Sequence, residues 1–373
     1  MRKSVLDIRH QELGATFEGD HWNDMALPWS YEQDLQDEVI ATRTRASLID
    51  VTSVNLVDVT GADAEAVLDS MVTIDVTKLK PGFGRIAGEV NDSGALCDDI
   101  LVIRCSKDKF RLSHGSGATK QQLTRCTEGK NVQWKADEDT HCMTLQGPIS
   151  TEVLNPHCDR DLSKLAYFEF IECQLFGKSV IISRSGYAGE FGFEVYCAST
   201  DAIYLWDTIL AVGRPRGVLP ASWNCLEITR LECCLLFYPF EMPEGDTTPW
   251  EVKMAWAVDL NKQGDYIGKK AVLASKGKER VLTAGITCHA TVPVEAGATL
   301  HAGGKEVGVV TSAGYSKYLM QSLAMVHLKP DAVAVGTEVE VRGPAVKCRA
   351  TVVPTPFYDP MRLRTHPERA AKQ

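Results

Sequence analysis

The sequence predicts an α+β fold, with two strand-and-helix cycles followed by a smaller all-β domain. Three observations carry this expectation. Runs with the two-residue alternation of a strand give way to helical periods once between residues 55 and 126. The same order returns between residues 173 and 212. From Val281 onward, short β-rich runs are separated by glycine and proline turns, with no convincing helical period.

The elements can be justified in chain order. Between Tyr31 and Arg43, Leu35 and Val39 lie four apart among acids and amides, which predicts a surface helix. A strand over Asn55 to Val59 ends at Thr60-Gly61, and Val67, Leu68 and Met71 then share one helical face. Ile100 to Arg104 and Phe110 to Leu112 are strand-like, and Thr119 to Cys126 is helical. After the turn signal at Leu145-Gln146-Gly147-Pro148, strands are expected at 173 to 183 and 192 to 197, then a helix from Asp201 to Val212 closed by Gly213. A further helix, Asn224 to Leu236, carries a capping pair of Asn224 with Glu227, a surface pair of Glu227 with Arg230, and the adjacent Cys233 and Cys234. The last region offers strands at Val281 to Ile286, Val307 to Thr311, Ser322 to Val326, Glu338 to Val341 and Lys347 to Val353, a closed or sandwiched domain. The expected boundaries are 1–278 for the two α+β subdomains, 279–361 for the β domain and 362–373 for a loose tail.

Bulk properties narrow the function classes. The 44% hydrophobic and 24% charged content is that of an ordinary globular protein. A net charge of −9, without a basic stripe, argues against nucleic acid as partner. No segment has the apolar run of an export signal or a membrane span, so a reducing cytoplasm is the expected location. The 12 cysteines include no C-x-x-C pair, and no metal site is expected from their spacing.

Two stretches could carry chemistry. SRSGYAGEFGFEVY (183–196) has glycines three apart, like a dinucleotide loop, but strand residues follow Gly192 where that loop needs a helix. It reads as strand, glycine loop, strand, with Phe193 and Val195 on one face and Glu194 and Tyr196 on the other. Glu194 is then either a surface hairpin residue or a carboxylate beside a loop that a flat ligand approaches. In NDSGALCDDILV (91–102), Asp98 and Asp99 must face opposite sides if they lie on the strand, or both belong to a solvated turn before it. His114 is a candidate acid or base, and Trp250 and Trp256 are either core or ligand platforms.

Together with SLIDVTSVNLVDVTG (47–61), LQGP (145–148), ITRLE (228–232), TTPWEV (247–252), MAWAVDLNKQGDYIGKKAV (254–272) and VVPTPFYDP (352–360), these stretches resemble the aminomethyltransferase superfamily, founded on the T-protein of the glycine cleavage system. The resemblance covers almost the whole chain in order. It implies two ferredoxin-like α+β subdomains around a central cavity for tetrahydrofolate, plus a C-terminal β-barrel. It further implies that Glu194 grips the pterin ring, that Tyr187 lines the same pocket where the loop glycines give the ring room, and that Asp99 is the active-site acid near N5. Trp256 matches an aromatic bordering the folate tail.

The chain also departs from the T-protein pattern. Leu226 stands where that pattern has an arginine, Ile86 and Ile103 where it has tyrosines, and Gly115 where it has an asparagine. Ile86, Ile103, Leu226, His114 and Gly115 are therefore the expected substrate-pocket residues. Apolar replacements suit a methyl donor better than a primary aminomethyl group, so the resemblance favours a tetrahydrofolate-dependent demethylase acting on a small methylated molecule. The alternatives are a true glycine-cleavage aminomethyltransferase, which needs a lipoyl carrier protein, and a folate-binding protein without catalysis.

Overall fold

Residues 2–17, 21–115 and 117–372 are described in a computed structural model, where they form a six-stranded sheet, a five-stranded sheet and a closed barrel, each with its own apolar core, together with a two-stranded ribbon of His21–Trp22 and Met25–Ala26. The chain divides into two units.

Unit 1 consists of Met1–Asn55, Asp137–Cys233 and Met361–Gln373. Its sheet has the spatial order Phe170–Leu175, Lys178–Ser183, Gly192–Cys197, His141–Gln146, Ser47–Asp50, Leu219–Pro220. All pairings are antiparallel except the last. The helix Ser199–Gly213 lays Leu205, Trp206 and Ile209 against Leu48, Leu145, Phe193 and Val195. Each fully buried large side chain on this face contributes roughly 2 kcal/mol.

Several boundaries differ from expectation for local reasons. The stretch 173–183 is two strands, because Phe176 (φ 51°) and Gly177 (φ 75°) form a two-residue left-handed turn that reverses the chain. The α-helix ends at Gly213 as expected, but Gly213 is right-handed (φ −85°), and a 3₁₀ turn, Arg214–Arg216, carries the chain on to the left-handed Gly217 (φ 83°). The next helix is Trp223–Glu232 and is capped by Ser222, whose hydroxyl accepts from Cys225 N at 3.4 Å, rather than by Asn224. Cys234 at φ 51° lies beyond its end, so the paired cysteines are not inside a helix. Glu227 and Arg230 do pair (3.0 Å), but the arginine is buried, not on the surface.

The helix Leu35–Thr44, expected to lie on the surface, buries Val39, Ala41 and Arg43. Arg43, 1% exposed, donates to the carbonyls of Ala188 (2.7 Å) and Thr229 (3.1 Å) and to the carboxylates of Glu190 (3.1 Å) and Glu232 (2.6 Å). Arg364, in the segment expected to be loose, donates to Glu190 at 3.0 Å and to the Arg43 carbonyl.

Unit 2 consists of Leu56–Ala136 and Cys234–Pro360. Its sheet has the order Phe83–Val90, Leu96–Arg104, Lys109–His114, Asn55–Thr60, Gln133–Asp137. The helices Ala64–Met71 and Thr119–Thr127 pack on one face against Val57, Ile100, Val102, Phe110 and Leu112. Lys262 is buried with its ammonium donating to the Asp69 carbonyl, one that the end of the helix Ala64–Met71 leaves without a partner, and to the carbonyls of Val72 (2.9 Å) and Ile74 (2.7 Å) just beyond it. The closed barrel runs Leu282–Cys288, Gln321–Leu328, Lys305–Ser316, Thr299–Ala302, Glu338–Arg342, Lys347–Val353. Its fourth member, Thr299–Ala302, falls between glycines and carries no alternation that marks it in the sequence.

Arg43→Met should cost about 3–5 kcal/mol, since it leaves Glu190 and Glu232 buried without their shared counter-charge. Urea unfolding measures this, and a loss below about 1 kcal/mol would mean that the carboxylates find water instead.

Candidate active site

In unit 1 the alternation on Gly192–Cys197 holds. Phe193 and Val195 are fully buried in the core, while Glu194 and Tyr196 face the other side. Glu194 lies opposite Ser183 on one neighbouring strand and Thr144 on the other. Three hydroxyls converge on its Oε2: Ser185 at 2.5 Å, Tyr196 at 2.9 Å and Ser183 at 3.5 Å. None of the three reaches Oε1. Burial raises the carboxyl's pKa, and the hydroxyls of Ser185, Tyr196 and Ser183 pull it back toward the charged form.

The loop from 184 to 191 is held by backbone packing. A β-carbon at Gly186 or Gly192 would overlap the Gln146 side-chain amide. Gly189 (φ 72°) lies against Cys233. The glycines thus make room for neighbouring protein atoms, whereas the sequence suggests room for a ring. Gln146 in turn donates to Ser185 O (3.0 Å) and Thr144 Oγ1 (2.7 Å), fixing the chain on either side of Glu194. Tyr187, half-buried, sits in this loop, and Leu226 is buried on Trp223–Glu232.

In unit 2 the parity of Leu96–Arg104 separates the two acids. Ile100 and Val102 face the helices, so Asp99, Leu101 and Ile103 share the opposite face. Ile86 lies across from Leu101 and joins that face. Asp98 points the other way and is fully buried, with Glu89 as its cross-strand partner. Its Oδ1 accepts from Asp99 N (2.9 Å) and its Oδ2 from Gly117 N (3.0 Å). His114 Nδ1 lies 3.8 Å from Asp98 Oδ2, on the Asp98 side of the sheet, so the structure does not bring His114 to Asp99. Gly115, buried, follows it.

Asp99 is half-buried. Burial first, then the negative charges of Asp98 and Glu241, push its pKa up to about 7. Burial also lifts Glu89 to about 8, against a 2.6 Å hydrogen bond from Thr119. Trp256 is 59% exposed on the 3₁₀ turn Ala255–Ala257. Its carbonyl accepts from Arg85 (3.2 Å), the neighbour of Ile86, while Arg85 also grips Asp259 at 2.8 and 2.9 Å.

Sequence reasoning names Glu194 and Asp99 as candidates but misses the hydroxyls of Ser183, Ser185 and Tyr196 that surround Glu194. Tyr196 was within reach, being two residues beyond Glu194 on the same strand face. The serines depend on a register that only the folded sheet supplies.

Comparison with known proteins agrees with the fold. Residues 6–262 match the GCVT N-terminal domain, and residues 282–359 match the glycine cleavage T-protein C-terminal barrel domain. The heme-dependent oxidative N-demethylase gamma subunit of Ectopseudomonas mendocina (strain ymp) is 35% identical over 368 residues, which covers 96% of each chain. The aminomethyltransferase of Geobacillus thermodenitrificans (strain NG80-2) is 32% identical over 330 residues, 87% of this chain and 90% of that one. Among solved structures, the glycine cleavage system aminomethyltransferase T from Bartonella henselae superposes with a TM-score of 0.88 at 27% identity, covering 96% of this chain and 98% of that one.

Because Asp99 in the folded chain holds its proton above the ordinary value of 3.8, its contribution to stability is complete below that value and disappears as the pH rises through about 7. Asp99→Asn does not titrate. The stability of the variant relative to the parent should therefore climb across this window and level off above it, as read from urea midpoints at a series of pH values. A difference that does not vary with pH would mean that Asp99 is solvated like an ordinary surface acid.

Proposed function

The chain belongs to the glycine cleavage T-protein (GCVT) family, and from that premise we propose that it moves a one-carbon group from a small methylated donor to N5 of tetrahydrofolate. The observation that supports this most directly is the Glu194 carboxylate. It is held on a strand with hydroxyls gathered on Oε2 and none of them on Oε1. An acceptor-only group so arranged suits the N–H donors of an amino-pyrimidine edge, and the serine hydroxyls can turn to yield Oε2 as a second acceptor.

Asp99 has the complementary task. Its carboxyl, close to half-ionised at neutral pH, can orient the acceptor nitrogen and stabilise positive charge developing at it during transfer. Most of the acceleration then comes from holding donor and acceptor in contact. Ile86, Ile103 and Leu226 add no hydrogen-bonding groups, which favours a methylated donor over a primary aminomethyl one. This distinguishes the reading from a glycine-cleavage reaction on a lipoyl carrier, whose signature would be folate-dependent release of ammonia from the aminomethylated carrier.

A second reading is favoured by the relative from Ectopseudomonas, named as a subunit of an oxidative N-demethylase. In it the donor is an N-methyl amine oxidised by a partner, and the carbon reaches folate at the formaldehyde level. Mass analysis of the folate product distinguishes the two, since direct transfer yields methylfolate and the oxidative route methylenefolate. Ammonia release from a lipoyl carrier would overturn both.

Two substitutions test the residue roles. Glu194→Ala should weaken tetrahydrofolate binding by about 2–4 kcal/mol, through lost charge-assisted bonds and unpaired ring donors. Equal affinity in a binding titration would remove Glu194 from the site. Asp99→Asn should lower turnover far more than folate affinity. Asp98→Asn should instead lower stability, because Asp98 accepts two backbone N–H groups in the interior.

A further inference from the structure

Far along the unit 1 sheet from Glu194, one group of side chains has no part in the chemistry above. Cys158 and Asp159 lie in the turn that leaves the 3₁₀ helix Asn155–His157, and Cys173 lies on Phe170–Leu175, the outermost strand. The turn is fastened to the strand by its backbone. Cys158 forms an antiparallel bridge with Leu175, Asp159 N donates to Gln174 O at 3.1 Å, and Phe176 N donates to His157 O at 3.0 Å. Gln174 N returns a bond to Asp159 Oδ1 at 2.8 Å.

This fastening decides where the side chains go. Cys173 and Leu175 are two apart and share the inner face, so Cys158, opposite Leu175, is the diagonal neighbour of Cys173. Asp159 Oδ1 is held by Gln174 N, which orients the carboxylate as an outer-shell partner orients a ligand. One donor atom from each of the three residues lies within 4.8 Å of the other two. Cys173 is 7% exposed, Cys158 half-buried and Asp159 exposed, so the group opens to solvent on one side only.

We propose that Cys158, Asp159 and Cys173 form a binding site for a thiophilic divalent cation of the zinc class, with solvent as the fourth ligand. Two sulfurs exclude magnesium and calcium, which take oxygen ligands, and two sulfurs with a carboxylate suit tetrahedral zinc. Zinc–sulfur and zinc–oxygen bonds of about 2.3 and 2.0 Å need the donors somewhat closer than their outer separation here, a change that side-chain rotation supplies. Both thiols give up a proton on binding, so affinity rises with pH. The ion would pin the 155–160 turn over the outer strand.

The test uses the full chain, reduced and desalted, titrated with Co²⁺ as a coloured probe and then with Zn²⁺ against a chromophoric chelator. The expected result is one ion per chain, thiolate-to-cobalt absorption, and affinity lowered at least about tenfold in Cys158→Ser and in Asp159→Asn. Both positions reach solvent, and circular dichroism checks that the variants fold. Absence of binding, or binding undiminished in the two variants, would overturn the proposal. A Cys158–Cys173 disulfide in mass spectra of the chain purified without reductant would do the same, since it would assign the proximity to redox pairing.

Discussion

The guanidinium of Arg43 is the constraint on which unit 1 depends. It joins three pieces of chain, its own helix, the glycine loop through Ala188 and Glu190, and the helix Trp223–Glu232 through Thr229 and Glu232, and Arg364 reaches the same cluster through Glu190. Taking one cation and two anions out of water is expensive, and the arrangement is tolerable only because each group is hydrogen-bonded on several sides. What it secures is geometric. With Ala188 and Glu190 fixed and Gln146 holding Ser185 O, the chain on both sides of the loop has little freedom, and Glu194 keeps its hydroxyls.

The two candidate carboxylates, Glu194 and Asp99, are tuned by opposite means. Burial opposes ionisation in both, but Glu194 meets that cost with donors on one oxygen, whereas Asp99 sits near two further negative charges. The first suits a group whose task is to accept hydrogen bonds. The second suits a group that must respond to charge appearing beside it, because a carboxyl with a pKa near 7 exchanges its proton at little cost.

Much of this was legible in the sequence, and the remainder was hidden for identifiable reasons. Strand parity is local, so Phe193 and Val195 against Glu194 and Tyr196, or Asp98 against Asp99, follow from a two-residue period. The β-rich runs between glycine turns likewise mark most of the barrel. Register is not local: nothing near His114 says that it lies on the Asp98 side, and nothing near Ser183 or Ser185 says that they face Glu194. The glycine spacing misleads for the same reason, since the atoms that require Gly186 and Gly189 belong to Gln146 and Cys233. Capping failed by a small margin, because Ser222 and Asn224 are both good caps and the tertiary position of the helix selects between them.

The division of unit 1 into three stretches of chain bears on how it is made. Its first two stretches can pair as soon as residues 137–233 have been synthesised, because all six strands of the sheet lie within them. The third stretch follows only after the whole of unit 2 has been made, and it brings Arg364 to a Glu190 that already holds Arg43. Until then Glu190 shares one cation with Glu232, and the glycine loop lacks one of its ties. Vectorial synthesis thus leaves the loop beside Glu194 as the last part of that unit to become rigid, after its sheet and core have formed.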